Sequence, residues 1–218
     1  VGSEMCIRDS LSKIQVAGGT EREKRLFYST FFHAFKWPAL RSDVNFEYTD
    51  IKGNVVNNGF HYYTNPSFWD DYRNKLTLLG MLSPEVTIDV IKSIIDKGEK
   101  SNGYMPTFFH GDHASTFIAG SWLRGLRDFD LQRAYNLILK NATVPGKGGR
   151  PYLDEYIKRG WIAEKDTVNV PTQDEYKGAV TKTVEYAYDD YCIAQAARKL
   201  GKEDDYHYFL NRALSYQT

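Results

Sequence analysis

The chain has 218 residues, with 28 basic and 28 acidic side chains and a formal net charge of +0. A balanced chain without long single-sign runs shows no footprint of a nucleic-acid or polyanion partner, and no window approaches the roughly 20 apolar residues of a membrane span. With two cysteines, Cys6 and Cys192, the chain cannot build a thiolate zinc cluster.

The first ten residues, VGSEMCIRDS, have no apolar periodicity and no helix cap. They are not a signal peptide, lacking a basic n-region, an apolar h-region and a small-residue cleavage site. Read back into codons they resemble a sequencing-library adapter ending in a transposon mosaic end. Residues 1–10 are therefore expected to be a non-native tail without a packing role, the natural chain entering near Leu11. That tail holds Glu4, Cys6, Arg8 and Asp9, so 27 basic and 26 acidic residues remain without it. Cys192 alone then allows no internal disulfide. The 16 tyrosines, 12 phenylalanines and 4 tryptophans suit wet clefts and sugar faces as well as helix packing.

Residues 22–36 place Leu26, Phe27, Thr30, Phe31 and Ala34 at helical spacing, and Pro38 ends the run. Residues 43–63 alternate and are broken by Gly53 and Asn57-Asn58-Gly59, which predicts a hairpin or irregular excursion. Asn65-Pro66 is expected to cap a helix running to about Gly80, with proline at its first position. Ser83-Pro84-Glu85 caps the next, to about Lys97. Helices over 113–126 and 130–141 follow. The stretch 143–172 is rich in glycine and proline and holds a short helix near 151–159. A long helix is predicted over 174–200, ending at Gly201, and another begins at 203 and runs to 216. Helix after helix with short turns argues an all-α packing. A single bundle fits this, and so does part of an α/α toroid. The Gly/Pro insert favours the toroid, whose cleft mouth carries such loops.

Four stretches could carry chemistry. In FWDDYR, Trp69, Asp70 and Arg73 share an arc beside the face of Phe68, Tyr72, Leu76 and Leu79. An aromatic platform, a carboxylate and a guanidinium are what a sugar site uses; the alternative is a surface Asp–Arg pair with a core tryptophan. In GYMPTFFHGDHASTF, His110, Asp112 and His113 occupy a Gly-containing turn, with Asp112 placed as an N-cap and the histidines as metal ligands or a proton-transfer pair. In VEYAYDDYCIAQ, Val180, Val184, Ala187, Tyr188 and Tyr191 read as the core stripe. On that reading Asp189 is solvated and Asp190 half-buried, a structural or cleft carboxylate. GKGGR lacks the Ser or Thr of a phosphate loop and reads as a flexible loop that could line a cleft. Asn141-Ala142-Thr143 fits a glycosylation sequon.

Taken in order, FYSTFFHAF…SDVNFEY, HYYTNPSFWDDYR, GYMPTFFHGDHAS…AGSWLRGL and VTKTVEYAYDDYCIAQAARKLGKEDDY resemble glycoside hydrolase family 92, the calcium-dependent exo-acting α-mannosidases. The resemblance spans nearly all of residues 22–216. It implies a fold that is all-α, a partial (α/α)6 toroid with a short hairpin-like excursion near 43–63. Residues 11–218 would be its N-terminal part, truncated at both ends and lacking the family's N-terminal β-sandwich domain and the other half of the toroid.

The implied substrate is an α-mannoside oligosaccharide, from N-glycans or mannan. Contacts to it carry over to Asp43, Trp69, Asp70 and Arg73, and His110, Asp112 and His113 line the leaving-group side. Many members carry Glu or Asn-Glu-Thr in the loop that here reads FFHGDHAS. The implied chemistry is inverting hydrolysis by a general acid and a carboxylate base set well apart, with Ca2+ gripping the sugar through oxygen ligands. Acid, base and calcium ligands would all follow Thr218, so neither a catalytic nor a metal role falls on Asp189, Asp190 or the histidines. The parent would be secreted, periplasmic or on the cell surface of a bacterium. Another α/α-toroid glycosidase, or a non-catalytic helical carbohydrate-binding protein, is the competing reading.

Overall fold

The computed structural model describes residues 2–107, 110–164 and 178–217. The chain begins with α1 (Gly2–Ser12), a helix over residues whose sequence shows no apolar periodicity or cap. Ile7, Arg8 and Asp9 on it are exposed. Its end packs on α2 (Glu21–Phe35), where Ile7 and Leu11 share a shallow pocket with Phe32 and Phe35. Thr20 starts α2 with a capping box: its hydroxyl accepts from the Glu23 N–H, and the Glu23 carboxylate accepts from the Thr20 N–H at 2.7 Å. The predicted α2 stripe is present but mostly uncovered. Phe31 is the buried residue of that helix, while Leu26 is 64% exposed.

The excursion is a hairpin of β1 (Glu47–Thr49) and β2 (Val55–Asn57), antiparallel with Tyr48 opposite Val56. Tyr48 turns inward and stacks on Tyr62 at 3.7 Å, and both hydroxyls donate to Asp96. The single helix expected from Pro66 to Gly80 is two: α3 (Phe68–Asp71) and α4 (Lys75–Leu82). Ser67, not Asn65, stands at the cap position of α3, and Asn74 interrupts the run by capping α4 with its own side chain. α5 (Pro84–Lys100) carries proline at its first turn, where the missing N–H costs nothing.

Next come α6 (Ala114–Leu123), α7 (Leu131–Thr143), α8 (Leu153–Arg159), α9 (Ala179–Lys199) and α10 (Glu203–Arg212), close to expectation. Asp130 caps α7 by accepting from the Arg133 N–H. Positions 165–172 of the Gly/Pro insert and 174–177 of the predicted long helix lie outside the described residues. α9 is central, packed by α6, α7 and α10, while α5 lies against α4 and α7. The core combines Val90, Ile91 and Ile94 with Phe117, Ile118, Ile138, Ile193 and Phe209. Ala194, Ala196 and Ala197 bring the α9 backbone close to its neighbours. Among the described residues no helix is long and apolar enough to cross a membrane.

Candidate functional site

The N-terminal half of α9 largely reverses the predicted faces, Ala187 alone of the predicted stripe being buried. Val180, Val184, Tyr188 and Tyr191 are exposed, and Lys182, Asp189 and Asp190 are fully buried. The inward stripe is Lys182, Glu185, Tyr186, Asp189, Ile193 and Ala197, at the 3–4 residue spacing of one helix face. Its apolar C-terminal part was legible. Extended backward by four, it lands on Asp189 and Glu185, the signal that apolar counting passed over.

Asp190 is the centre of the deepest charge cluster. It accepts both arms of Arg212, at 2.6 and 2.7 Å, together with Arg150 Nη1 at 2.7 Å and the Tyr156 hydroxyl at 3.1 Å. Arg150 also donates through Nε to Asp112 at 3.0 Å. GKGGR is thus no flexible cleft loop: its last residue is the buried cation that ties two buried carboxylates together. The glycines make room for this. A Cβ on Gly146 would lie 2.4 Å from the Tyr104 hydroxyl and one on Gly149 2.9 Å from the Tyr104 ring. The corner delivering Arg150 is strained, with Tyr152 at φ 58°.

Asp112 is not the predicted N-cap. His113 holds that position of α6 without a side-chain capping bond, and the Asp112 carboxylate faces inward to Arg150 and to the Asn141 amide at 3.0 Å. Asn141 also exchanges hydrogen bonds with the Met105 backbone, so the sequon asparagine is fully buried. Burial pushes the Asp112 carboxyl up to about 7 against the pull of Arg150.

His113 lies between two carboxylates. Its Nδ1 donates to Asp189 at 2.8 Å and its Nε2 stands 3.3 Å from Glu185. Asp189 is fixed in turn by the Asp112 N–H and the Thr116 hydroxyl. Burial opposes the imidazolium, but the charges of Asp189 and Glu185 outweigh it and raise His113 above its usual value. Burial likewise opposes the Asp189 charge, which His113 and Arg150 overcome, holding that carboxyl low. Only glycine fits at 111, where a Cβ would lie 2.2 Å from His113 Nε2.

Tyr72 stacks on His113 at 4.1 Å and donates to Glu185 at 3.1 Å. Arg73 lies over Tyr72 at 4.4 Å and near Trp69 at 5.9 Å, with Nη2 on Glu185 at 3.0 Å. The Trp69 ring meets His110 edge-on at 5.9 Å, and burial, aided by the charge of Lys182, holds His110 below its usual value. The structure therefore joins Trp69, Arg73, His110, Asp112, His113 and Asp190 in one continuous network. Two candidates make their contacts elsewhere. The Asp70 carboxylate accepts from Ser67 rather than pairing with Arg73. Asp43 is exposed at the hairpin entrance, its backbone bonded to Glu47.

Sequence reasoning missed Tyr72, Arg150, Glu185 and Arg212. Tyr72 and Arg73 also line a groove of about 540 Å³ with Thr116, Tyr188, Tyr191 and Gln195. Calcium takes about six to eight oxygen ligands, and this donor set does not fit it: the carboxylates of Asp112, Glu185, Asp189 and Asp190 are already committed to arginine and histidine donors. Among the described residues no group of three or more His, Cys, Asp or Glu is arranged around a metal position.

Paired helices around an aromatic–guanidinium cluster define the class: the fold is part of an (α/α)6 toroid. The sequence profile of the glycosyl hydrolase family 92 catalytic domain matches residues 8–218, and the chain belongs to that family. It is similar to a family GH92 α-mannosidase from Bacteroides thetaiotaomicron, with a TM-score of 0.84 and 35% identity, covering 98% of this chain and 29% of that one. That protein is also solved in complex with mannoimidazole. A family GH92 inverting mannosidase from Bacteroides thetaiotaomicron VPI-5482 matches with a TM-score of 0.80 and 27% identity, covering 98% of this chain and 30% of that one. An uncharacterized secreted glycosidase of Arthroderma benhamiae is 29% identical over 106 residues, which is 45% of this chain and 13% of that protein. The chain thus spans less than a third of the length of these proteins.

Proposed function

We propose that this chain is the sugar-gripping helical part of an inverting, exo-acting α-mannosidase. The observation that carries the reading is Arg73, half-exposed beside Trp69 and Tyr72 and anchored on Glu185. Aromatic rings receive the C–H faces of a pyranose, and a guanidinium offers paired donors to its hydroxyls. Similarity at 35% identity to an α-mannosidase supports mannose as the sugar, and likeness to a protein described as an inverting mannosidase supports the stereochemistry.

On this reading Trp69 and Arg73 bind and orient the terminal mannose, with Asp43 and Asp70 joining from the rim. His110, Asp112 and His113 shape the leaving-group side, and Asp190 acts as a structural carboxylate. The general acid, the base and the Ca2+ ligands belong to the rest of a longer parent, which includes a β-sandwich domain and the remaining toroid. Calcium bound by that part would supply positive charge to the sugar oxygens. Residues 1–10 are taken as non-native, and the parent as an exported enzyme.

The test is hydrolysis of α-mannosides by the parent, with the product anomer followed by proton NMR. Initial release of β-mannose, abolished by calcium chelation, is expected. Initial α-mannose overturns the inverting mechanism, and calcium-dependent mannose release by the 218-residue chain alone overturns the division of labour.

A further inference from the structure

An exposed arginine carries large rotamer entropy, and a surface ion pair holds it weakly. Arg73 is held differently. Its side chain is 52% exposed, yet Nη1 donates to the Trp69 carbonyl at 3.0 Å, Nη2 to Glu185 at 3.0 Å, and the guanidinium lies over the Tyr72 ring. The other partner of that ion pair is only 11% exposed and stands on the long helix α9.

We propose that Glu185 is a positioning residue for Arg73, backed by His113 and Asp189, so that the guanidinium is oriented before any sugar arrives; this rests on Arg73 being a sugar contact. One Glu185 oxygen takes Arg73. The other takes the Tyr72 hydroxyl and faces His113 Nε2, a pair of donors that suits a carboxylate oxygen. The His113 ring is stacked on Tyr72 and fastened by Asp189, which accepts from a backbone N–H and a hydroxyl. The restraint therefore runs from the rigid interior to the surface without a freely rotating link. Glutamine at 185 weakens this geometry: if its oxygen keeps Arg73 the ion pair is lost, and its NH2 fits only if the Tyr72 hydroxyl turns to accept and His113 gives up its Nε2 proton. Aspartate is one methylene too short to reach both sides. Preorganisation of this kind lowers the ordering cost of binding.

Two measurements separate the proposal from the reading beneath it. In the 218-residue chain, side-chain NMR of 15N-labelled Arg73, assigned by its loss in Arg73→Lys, should show distinct, slowly exchanging guanidinium protons that average in Glu185→Gln. Unchanged Arg73 signals in Glu185→Gln overturn the proposal whatever the substrate is. Should that variant not fold by circular dichroism, Tyr72→Phe removes one restraint on Glu185 and must still speed Arg73 exchange; no change there overturns it equally.

In the parent enzyme, Arg73→Lys and Glu185→Gln are each expected to raise KM for an α-mannoside about tenfold with kcat within about threefold, the signature of lost ground-state binding. The double variant should be no worse than Arg73→Lys, because the two act as one unit. An unchanged KM in Arg73→Lys sinks the sugar-contact reading and leaves the NMR result standing. A raised KM in Arg73→Lys alone sinks the positioning role.

Discussion

The two faces of α9 invert the usual sorting of residues. The inward face buries Lys182, Asp189 and Asp190, while the outward face exposes two valines and two tyrosines. Burying isolated charges costs several kcal/mol each, so such a face exists only where opposite charges meet it. Arg150 and Arg212 meet Asp190, His113 meets Asp189, and Arg73 caps Glu185 toward solvent. The outward face has no such requirement: Tyr188 and Tyr191 border the groove shared with Arg73. The interior of this half is thus specified by charge pairing rather than by oil.

Breaking the inward face should have the largest effect. Arg150→Met leaves Asp112 without its cation and takes one of the two arginines from Asp190; a loss of about 3–5 kcal/mol is expected, read as the urea unfolding midpoint. A cost under about 1 kcal/mol would show that the cluster does not hold the fold.

A second test sharpens the same contrast by pH. His113 is raised in the fold, so its contribution is fully present below its usual value near 6.5 and is lost as pH rises through the raised one. Asp112, pushed up to about 7, acts in the same direction as pH climbs from about 4. Asp189, held low, contributes above the usual carboxylate range and is lost only as pH falls below it. Asp112 should therefore lower thermal melts as pH climbs from about 4 to about 7, and His113 from about 6.5 upward; His113→Gln should remove the drop above about 6.5, about 2–4 °C for each kcal/mol of linkage. The lowered His110 works in the opposite sense only below its usual value, outside the range in which His113 acts.

The smallest effect belongs to the outward face. Tyr188→Ser with Tyr191→Ser should shift the stability of this chain by no more than about 0.5 kcal/mol per site. A larger loss would mean that the groove is packed in solution.

The same contrast explains what the sequence disclosed. Helix boundaries set by short-range chemistry were legible at Pro84 and Gly201, while the equally local Thr20–Glu23 box and Asp130 cap emerged only with the structure. The split between the helices and the hairpin at 47–57 was legible too. The site was legible where its residues are neighbours, as in Trp69 and Arg73 or His110 and His113. It was hidden where partners lie far apart, because nothing near Arg150 points to Asp190, forty residues on. Apolar counting then failed on α9, where the buried stripe is charged. The Asp112 cap and the Asp70–Arg73 pair were sound local chemistry, overruled by tertiary partners with more to offer: two buried donors in one case, Glu185 in the other.

The buried carboxamide of Asn141 sets up a race during synthesis. Its three hydrogen bonds close only after α7 docks on Met105 and Asp112, yet the Asn-Ala-Thr tripeptide is complete as soon as the chain emerges. In a compartment that attaches oligosaccharides to nascent chains, a glycan added before docking would occupy the amide that must go inside. Such a molecule could never close its core. Expression through a eukaryotic secretory route should then split the product into folded, unmodified protein and retained, glycosylated chains, while a host without that machinery escapes the competition altogether.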